Sequence, residues 1–94
     1  MNGLIRIYTS VRRPNCVTVY FNQCALDIIG VKEIVVKERD GELFISRPTM
    51  ETKKTLRFST TRIISFSVKD AKALVGNYYI ERDDNADEYL LNPV

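Results

Sequence analysis

Histidine and tryptophan are both missing from this chain of 94 residues. Without histidine, the chain lacks the commonest general base and a principal ligand of zinc. It also contains no GxSxG, GxxxxGK[ST] or GxGxxG motif, and therefore no nucleophile elbow and no glycine loop for phosphate. We therefore expect a protein that is not an enzyme and that has no catalytic residues, no metal site and no cofactor.

Cysteines and long apolar stretches are scarce. Cys16 and Cys24 are too far apart for a CxxC site, so we interpret them as reduced, buried thiols. The longest apolar runs, such as Ile34-Val35-Val36, fall far short of the roughly 18 residues that a membrane span needs. No basic segment followed by an apolar stretch opens the sequence. We expect a cytoplasmic protein that does not enter a membrane.

The composition is that of an ordinary globular protein, with 45% hydrophobic and 28% charged residues. At this length we expect a single domain over residues 1–94 with one core. The net charge of +2 is unevenly placed, because residues 49–72 hold six lysines and arginines against Glu51 and Asp70. An acidic stretch runs from Glu81 to Glu88. Such asymmetry can orient a protein on a polyanion.

Two segments of the chain resemble each other at a spacing of 46 residues, or 47 for the phase of their first strands. In each segment an alternating apolar run is followed by alanine, two adjacent apolar residues and glycine. Those glycines are Gly30 and Gly76. The repeat predicts one unit over about 4–48 and a second over about 55–94.

Each unit has the pattern of a strand, a short helix and a hairpin. The first helix is predicted over Gln23–Ile29, with Asn22 as its N-cap and Gly30 past its end. The second is predicted over Asp70–Val75, with Asp70 as its cap and Gly76 as its stop.

Hairpin strands are predicted at 33–39 and 42–47, around Asp40-Gly41, and at 78–82 and 88–91. Two further strands, Leu4–Thr9 and Thr55–Ser59, are expected at sheet edges. The fold class is therefore mostly β with two short helices, in a small barrel of two β-α-β-β units with pseudo-twofold symmetry.

The segment from Val17 to Pro48 resembles the swapped-hairpin family of the AbrB, MazE and SpoVT transcription factors. The resemblance is carried by Val19-Tyr20-Phe21, by Ala25 to Gly30, by Lys37 to Glu42 and by Leu43-Phe44-Ile45. The chain has Phe21-Asn22 where the family usually has Ile-Pro. In that family two chains interleave their hairpins into one barrel and bind DNA through basic residues on one face. The resemblance implies a tandem, single-chain version of this barrel.

Arginines at the entrance to each unit are the candidate DNA contacts. Arg12 and Arg13 precede the first unit, and Arg57 and Arg62 bracket the entrance to the second. Related by a pseudo-twofold, the two pairs would form one basic face for phosphates and guanine edges, with Lys53 and Lys54 adding backbone charge. The alternative is that these residues are solubilising side chains in loops.

Two other features bear on function. The run from Asp83 to Glu88 has the alternating oxygens of a calcium loop, but a glycine is missing where such loops need one, which favours a solvated hairpin loop. Tyr20 and Tyr79 are out of phase with the inward residues of their strands. They are either core-packing residues, as most aromatic side chains in strands are, or exposed surfaces for stacking bases.

We expect a double-stranded DNA-binding transcriptional regulator of bacterial or phage origin. The alternative is a protein-binding module, such as a phage-encoded inhibitor or adaptor that binds a host protein. In that case the acidic stretch would steer the encounter. Unpaired strand edges and the symmetric reading of DNA sites both favour a homodimer.

Overall fold

Eight antiparallel strands and one short α-helix make up most of the protein. The computed structural model describes residues 2–39, 42–50, 54–82 and 88–94. The elements, in chain order, are β1 (Leu4–Ser10), β2 (Arg13–Phe21), α1 (Gln23–Ile29), β3 (Glu33–Arg39), β4 (Glu42–Ser46), β5 (Leu56–Arg57), β6 (Ile63–Ser67), a 3₁₀ helix (Ala71–Leu74), β7 (Gly76–Arg82) and β8 (Glu88–Pro93). The expected mostly-β fold is confirmed.

The strands form one sheet that curls into a nearly closed barrel. Its hydrogen-bonded order is β5-β3-β4-β8-β7-β1-β2-β6. The two end strands, β5 and β6, are joined by a tight turn in which the Ser59 amide donates to the Ile63 carbonyl at 3.1 Å and the Arg62 amide donates to the Ser59 carbonyl at 3.1 Å. The turn brings the two ends of the sheet toward each other.

Strict alternation explains which side of each strand is buried. Ile5 and Ile7 of β1 are buried while Arg6 and Tyr8 between and beyond them are exposed. On β2, Val17, Val19 and Phe21 are fully buried. A period of two puts one set of side chains inside the barrel and the other on its outer surface. The outer surface of β1 and β2 is therefore set by the polar half of the same pattern.

The first helix matches its prediction. The Asn22 side-chain oxygen accepts from the Ala25 amide at 2.8 Å, which caps the helix, and also from the Leu4 amide at 3.1 Å. Gly30 ends the helix with a φ of 70°, a conformation that glycine adopts without steric cost. Ala25 and Ile29 are buried against the barrel. Two turns of helix are held in place by this docking.

The second helix was predicted wrongly. Only Ala71–Leu74 is helical, as a 3₁₀ helix, and Val75 is already extended. Asp70 makes no side-chain capping bond, and Gly76 lies in β7 and not at a helix end. The expected buried stripe of Ala71, Leu74 and Val75 is right only in part, since Ala71 and Leu74 are buried but Val75 is 48% exposed. With no cap, the segment forms a single tight turn.

The edge prediction is half right. β5 ends the sheet, but β1 lies inside it, between β7 and β2. The other end strand is β6. A sequence pattern identifies a strand without identifying its neighbours: β1 pairs with the adjacent β2 on one side and with the distant β7 on the other.

Two further predictions concern turns and membranes. The Asp40-Gly41 turn and the Asp83 to Asp87 loop lie outside the described residues. Within the described ranges no helix is long and apolar enough to cross a membrane.

One buried polar cluster joins the two halves of the barrel. Tyr89 of β8 donates its hydroxyl to the Ile29 carbonyl at 2.7 Å and accepts from Arg47 Nε at 2.6 Å. Arg47 also donates from Nη2 to the same carbonyl at 2.9 Å. The cluster places a cation at the carboxyl end of α1, where the helix dipole favours positive charge.

Candidate nucleic-acid interface

The tip of the β1–β2 hairpin extends beyond the strands on either side of it. Pairing with β7 stops at Ile7, and contact with the β6 side stops at Asn15, whose carbonyl accepts from the Val68 amide at 2.9 Å. Residues 10–15, which include Arg12 and Arg13, are all exposed. The hairpin therefore presents two arginines at the end of a two-stranded ribbon.

The other predicted contacts lie elsewhere. Arg62 is half-buried in the β5–β6 turn, where its carbonyl accepts from the Phe21 amide at 3.0 Å. It has a φ of 64°, so the turn holds an arginine in the left-handed region. Arg57 is exposed on β5, opposite Glu33. Lys54 is exposed, and Lys53 lies outside the described residues.

The structure places Arg62 at the opposite end of β2 from Arg12 and Arg13. Arg13 begins that strand, and Phe21, which contacts Arg62, ends it. Eight steps of roughly 3.3 Å separate these ends by about 26 Å. Arg12, Arg13 and Arg62 are thus spread along one strand, whereas Arg57 lies on β5, and the contact of all four with DNA stays a prediction.

The charges on this side of the barrel all have one sign. We call the outer surface formed by residues 4–21 and 62–69, which include β1, β2 and β6, the basic face. These residues contain no aspartate or glutamate. Their five cations are Arg6, Arg12, Arg13, Arg62 and Lys69. The opposite side is mixed, since β3 and β4 carry both signs and Arg39 of β3 pairs with Glu88 of β8 at 3.6 Å.

Three exposed tyrosines surround an arginine beside this surface. Tyr8, Tyr20 and Tyr79 are 38%, 37% and 37% exposed. Arg6 pairs with Tyr20 across β1 and β2, and its guanidinium lies 5.9 Å from the centre of the Tyr8 ring. Tyr79 of β7 pairs with Leu4, one outward position before Arg6. We call these four residues the tyrosine cluster.

The expected exposure of Tyr20 and Tyr79 is confirmed, whereas Arg6 and Tyr8 were missed as site residues. Their signal was present in the alternation of Leu4, Arg6 and Tyr8 with the buried Ile5 and Ile7. Because β1 was expected at a sheet edge, its position between β7 and β2 was not predicted.

Away from this side, a groove of about 560 Å³ runs between α1 and the β5–β6 turn. Leu26 and Phe58 are among its lining residues, together with Lys32 and Arg57. No group of three histidine, cysteine, aspartate or glutamate side chains that could hold a metal ion occurs in the described part of the chain.

Comparison with protein-family models, with curated proteins and with solved structures gives no match to this chain. The charges and exposed rings of the described residues are therefore the basis for assigning a function.

Proposed function

We propose that this protein is a non-enzymatic, cytoplasmic, double-stranded DNA-binding protein that acts as a transcriptional regulator. The observation that carries the proposal is the basic face, which has five cations and no carboxylate over residues 4–21 and 62–69. Phosphate contacts by arginine and lysine supply most of the non-specific affinity for DNA. A surface free of carboxylates approaches that backbone without like-charge repulsion.

The β1–β2 hairpin is the element that would enter the duplex. The major groove admits a two-stranded β-ribbon, and arginine binds the edge of guanine through two hydrogen bonds. Arg12 and Arg13 lie at the exposed end of such a ribbon. Arg62 lies about 26 Å along β2, a distance that corresponds to roughly eight base pairs at 3.4 Å each. One duplex lying along β2 would contact Arg12 and Arg13 at one end of the strand and Arg62 at the other.

We also propose that the two halves are related by an approximate twofold axis, as the resemblance to the swapped-hairpin family implies. The strand order supports this. A twofold would exchange strands that are four apart in chain order, namely β1 with β5, β2 with β6, β3 with β7 and β4 with β8. This exchange turns the observed order into β1-β7-β8-β4-β3-β5-β6-β2, which is the same circular order read in the opposite direction. The β3–β4 and β7–β8 hairpins meet through β4 and β8, as interleaved hairpins would.

A homodimer formed through β6 completes the proposal. β6 ends the sheet, and its residues Ile63–Ser67 include neither a charge nor a proline. Unpaired edges of this kind pair readily with another chain. Two copies joined along β6 would place their basic faces side by side, which suits the two half-sites of a symmetric operator.

The test is a titration of labelled duplexes at several salt concentrations. Binding should weaken linearly on logarithmic axes, with a slope of about −0.9 for each neutralised phosphate. The double variant R12A/R13A should flatten that slope by about 1.8 if each arginine neutralises one phosphate. The matched control K32A/K37A, which removes two exposed lysines from the other half, should leave the slope unchanged.

Two results would contradict the proposal. One is the absence of binding to any duplex at micromolar protein. The other is an equal loss of slope in R12A/R13A and K32A/K37A, because it would mean that only net charge matters. A pull-down from a nuclease-treated lysate distinguishes DNA binding from the alternative function, a protein-binding module. A host-protein partner would stay bound after the nuclease treatment, whereas DNA would be removed.

A further inference from the structure

The tyrosine cluster is an exposed patch on the outer side of the sheet, with Arg6 at its centre. Arg6 is directly opposite Tyr20 in the register, while Tyr8 lies two residues further along β1 and Tyr79 lies across β1 on the other side. With strands about 4.8 Å apart and residues about 3.3 Å apart, Tyr8 and Tyr79 are roughly 14 Å apart at their backbones. Tyr20 lies on the opposite side of β1 from Tyr79, about 8 Å from Tyr8 and roughly 12 Å from Tyr79 at the backbone.

The exposed tyrosines differ from the two that the barrel buries more deeply. Tyr78 donates its hydroxyl to the Leu74 carbonyl at 2.9 Å, and Tyr89 donates to the Ile29 carbonyl. No hydrogen bond joins the hydroxyls of Tyr8, Tyr20 or Tyr79 to the described residues. The hydroxyls of these three tyrosines therefore do not fix the described fold through hydrogen bonds. More than a third of each residue's surface is exposed to water.

The surroundings of the cluster favour a polyanion over an apolar partner. Arg6 is central, Tyr8 and Tyr20 belong to the basic face, and small polar residues such as Thr18, Ser65 and Asn77 fill the positions between. The first carboxylate along the outer side of β7 is Glu81, one outward position past Tyr79. Aromatic rings beside a row of cations are the combination with which proteins bind single strands.

Base pairing decides which form of DNA can stack its bases on the tyrosine rings. In a duplex the faces of the bases are covered by their neighbours, so a tyrosine ring on a convex sheet can stack only on an unpaired base. The separation of about 14 Å corresponds to roughly four steps of 3.4 Å along one strand. A short unpaired stretch therefore matches the cluster in size.

We propose that the tyrosine cluster binds single-stranded DNA, with bases stacked on Tyr8, Tyr20 and Tyr79 and with Arg6 between them contacting phosphate. This second binding mode rests on the proposed function only in taking DNA as the ligand. The basic face supplies phosphate contacts to both forms of DNA, whereas the rings act on the unpaired form alone.

The test uses an oligonucleotide of twelve thymidines and the protein's own tyrosine emission, which is unobscured because the chain has no tryptophan. A 12-mer of abasic sites with the same phosphates is the matched ligand. We expect the thymidine oligonucleotide to quench the emission and to bind at least tenfold more tightly than the abasic one, because stacking contributes about 1–3 kcal/mol per base.

Substitutions distinguish the effect of the aromatic ring from that of an apolar side chain of any kind. Y20L and Y79L keep an apolar side chain at an exposed strand position, and each should weaken thymidine binding at least fivefold. Y20F and Y79F keep the ring and should stay within twofold of the parent protein. Y79L, whose position on β7 lies outside the basic face, should change the affinity for a duplex by no more than twofold, which distinguishes this site from the hairpin tip.

Each contrary outcome has its own meaning. Equal binding of the thymidine and abasic oligonucleotides, or equal effects of leucine and phenylalanine, would overturn the stacking proposal and leave duplex binding intact. Tighter binding of a twelve-uridine RNA than of the thymidine DNA would overturn the assignment to DNA. If the parent protein binds neither a duplex nor a single strand, the proposed function is refuted as well.

Discussion

Tyr89 places its hydroxyl between the Arg47 guanidinium and the Ile29 carbonyl, at 2.6 and 2.7 Å. The residue is only 4% exposed, so water cannot replace these bonds. We expect Y89F to lower the free energy of unfolding by about 1–3 kcal/mol, because it removes an acceptor from a partly buried guanidinium. Urea denaturation followed by circular dichroism measures the change. Y79F, at an exposed ring, is the control and should change stability by less than about 0.5 kcal/mol.

Residue by residue, the site was predictable where local pattern decided exposure. Tyr20 and Tyr79 were identified from strand phase, and both are exposed. The arginines were identified from position along the chain, but position did not show that β2 separates them by its whole length. Distances between residues that are remote in sequence depend on strand order, which no local pattern encodes.

At the scale of the element, the two helical segments show how much a cap decides. Asn22 accepts two backbone hydrogen bonds, from Ala25 and Leu4, whereas Asp70 accepts none from the 3₁₀ helix. We expect N22A to cost about 1–2 kcal/mol and D70A less than about 0.5 kcal/mol. The midpoints of urea denaturation measure both, and an equal cost for the two variants would contradict the assigned capping roles.

Strand positions were largely predictable because alternation and turn residues are local signals. The order of the strands was not, since β1 pairs with β7 across most of the chain and β4 pairs with β8 across nearly half of it. The strands predicted for each repeat segment are present, and the first segment has its α-helix. The internal repeat overstated the second helix because alanine and leucine spacing fits a 3₁₀ turn and an α-helix equally well over four residues.

At the scale of the whole molecule, the closure of the barrel decides whether the protein works alone. β5 covers only two residues of β3, and β6 ends the other side of the sheet with five residues. Its sequence Ile63-Ile64-Ser65-Phe66-Ser67 lacks the lysine or proline that blunts exposed edges in monomeric proteins. Arg62 and Lys69 flank the strand without interrupting it.

We therefore expect a homodimer, with a mass of twice 10.8 kDa in sedimentation equilibrium at tens of micromolar. S65K places a lysine on the β6 edge and should shift the equilibrium to the monomer, because a charge opposite its own copy repels. S10K adds the same charge at the exposed hairpin and is the matched control. A mass that stays at 10.8 kDa across the concentration range would show that the barrel protects its own edges. In that case the proposed function requires that Arg12 and Arg13 at one end of β2 and Arg62 at the other end of the same chain contact both halves of a DNA site.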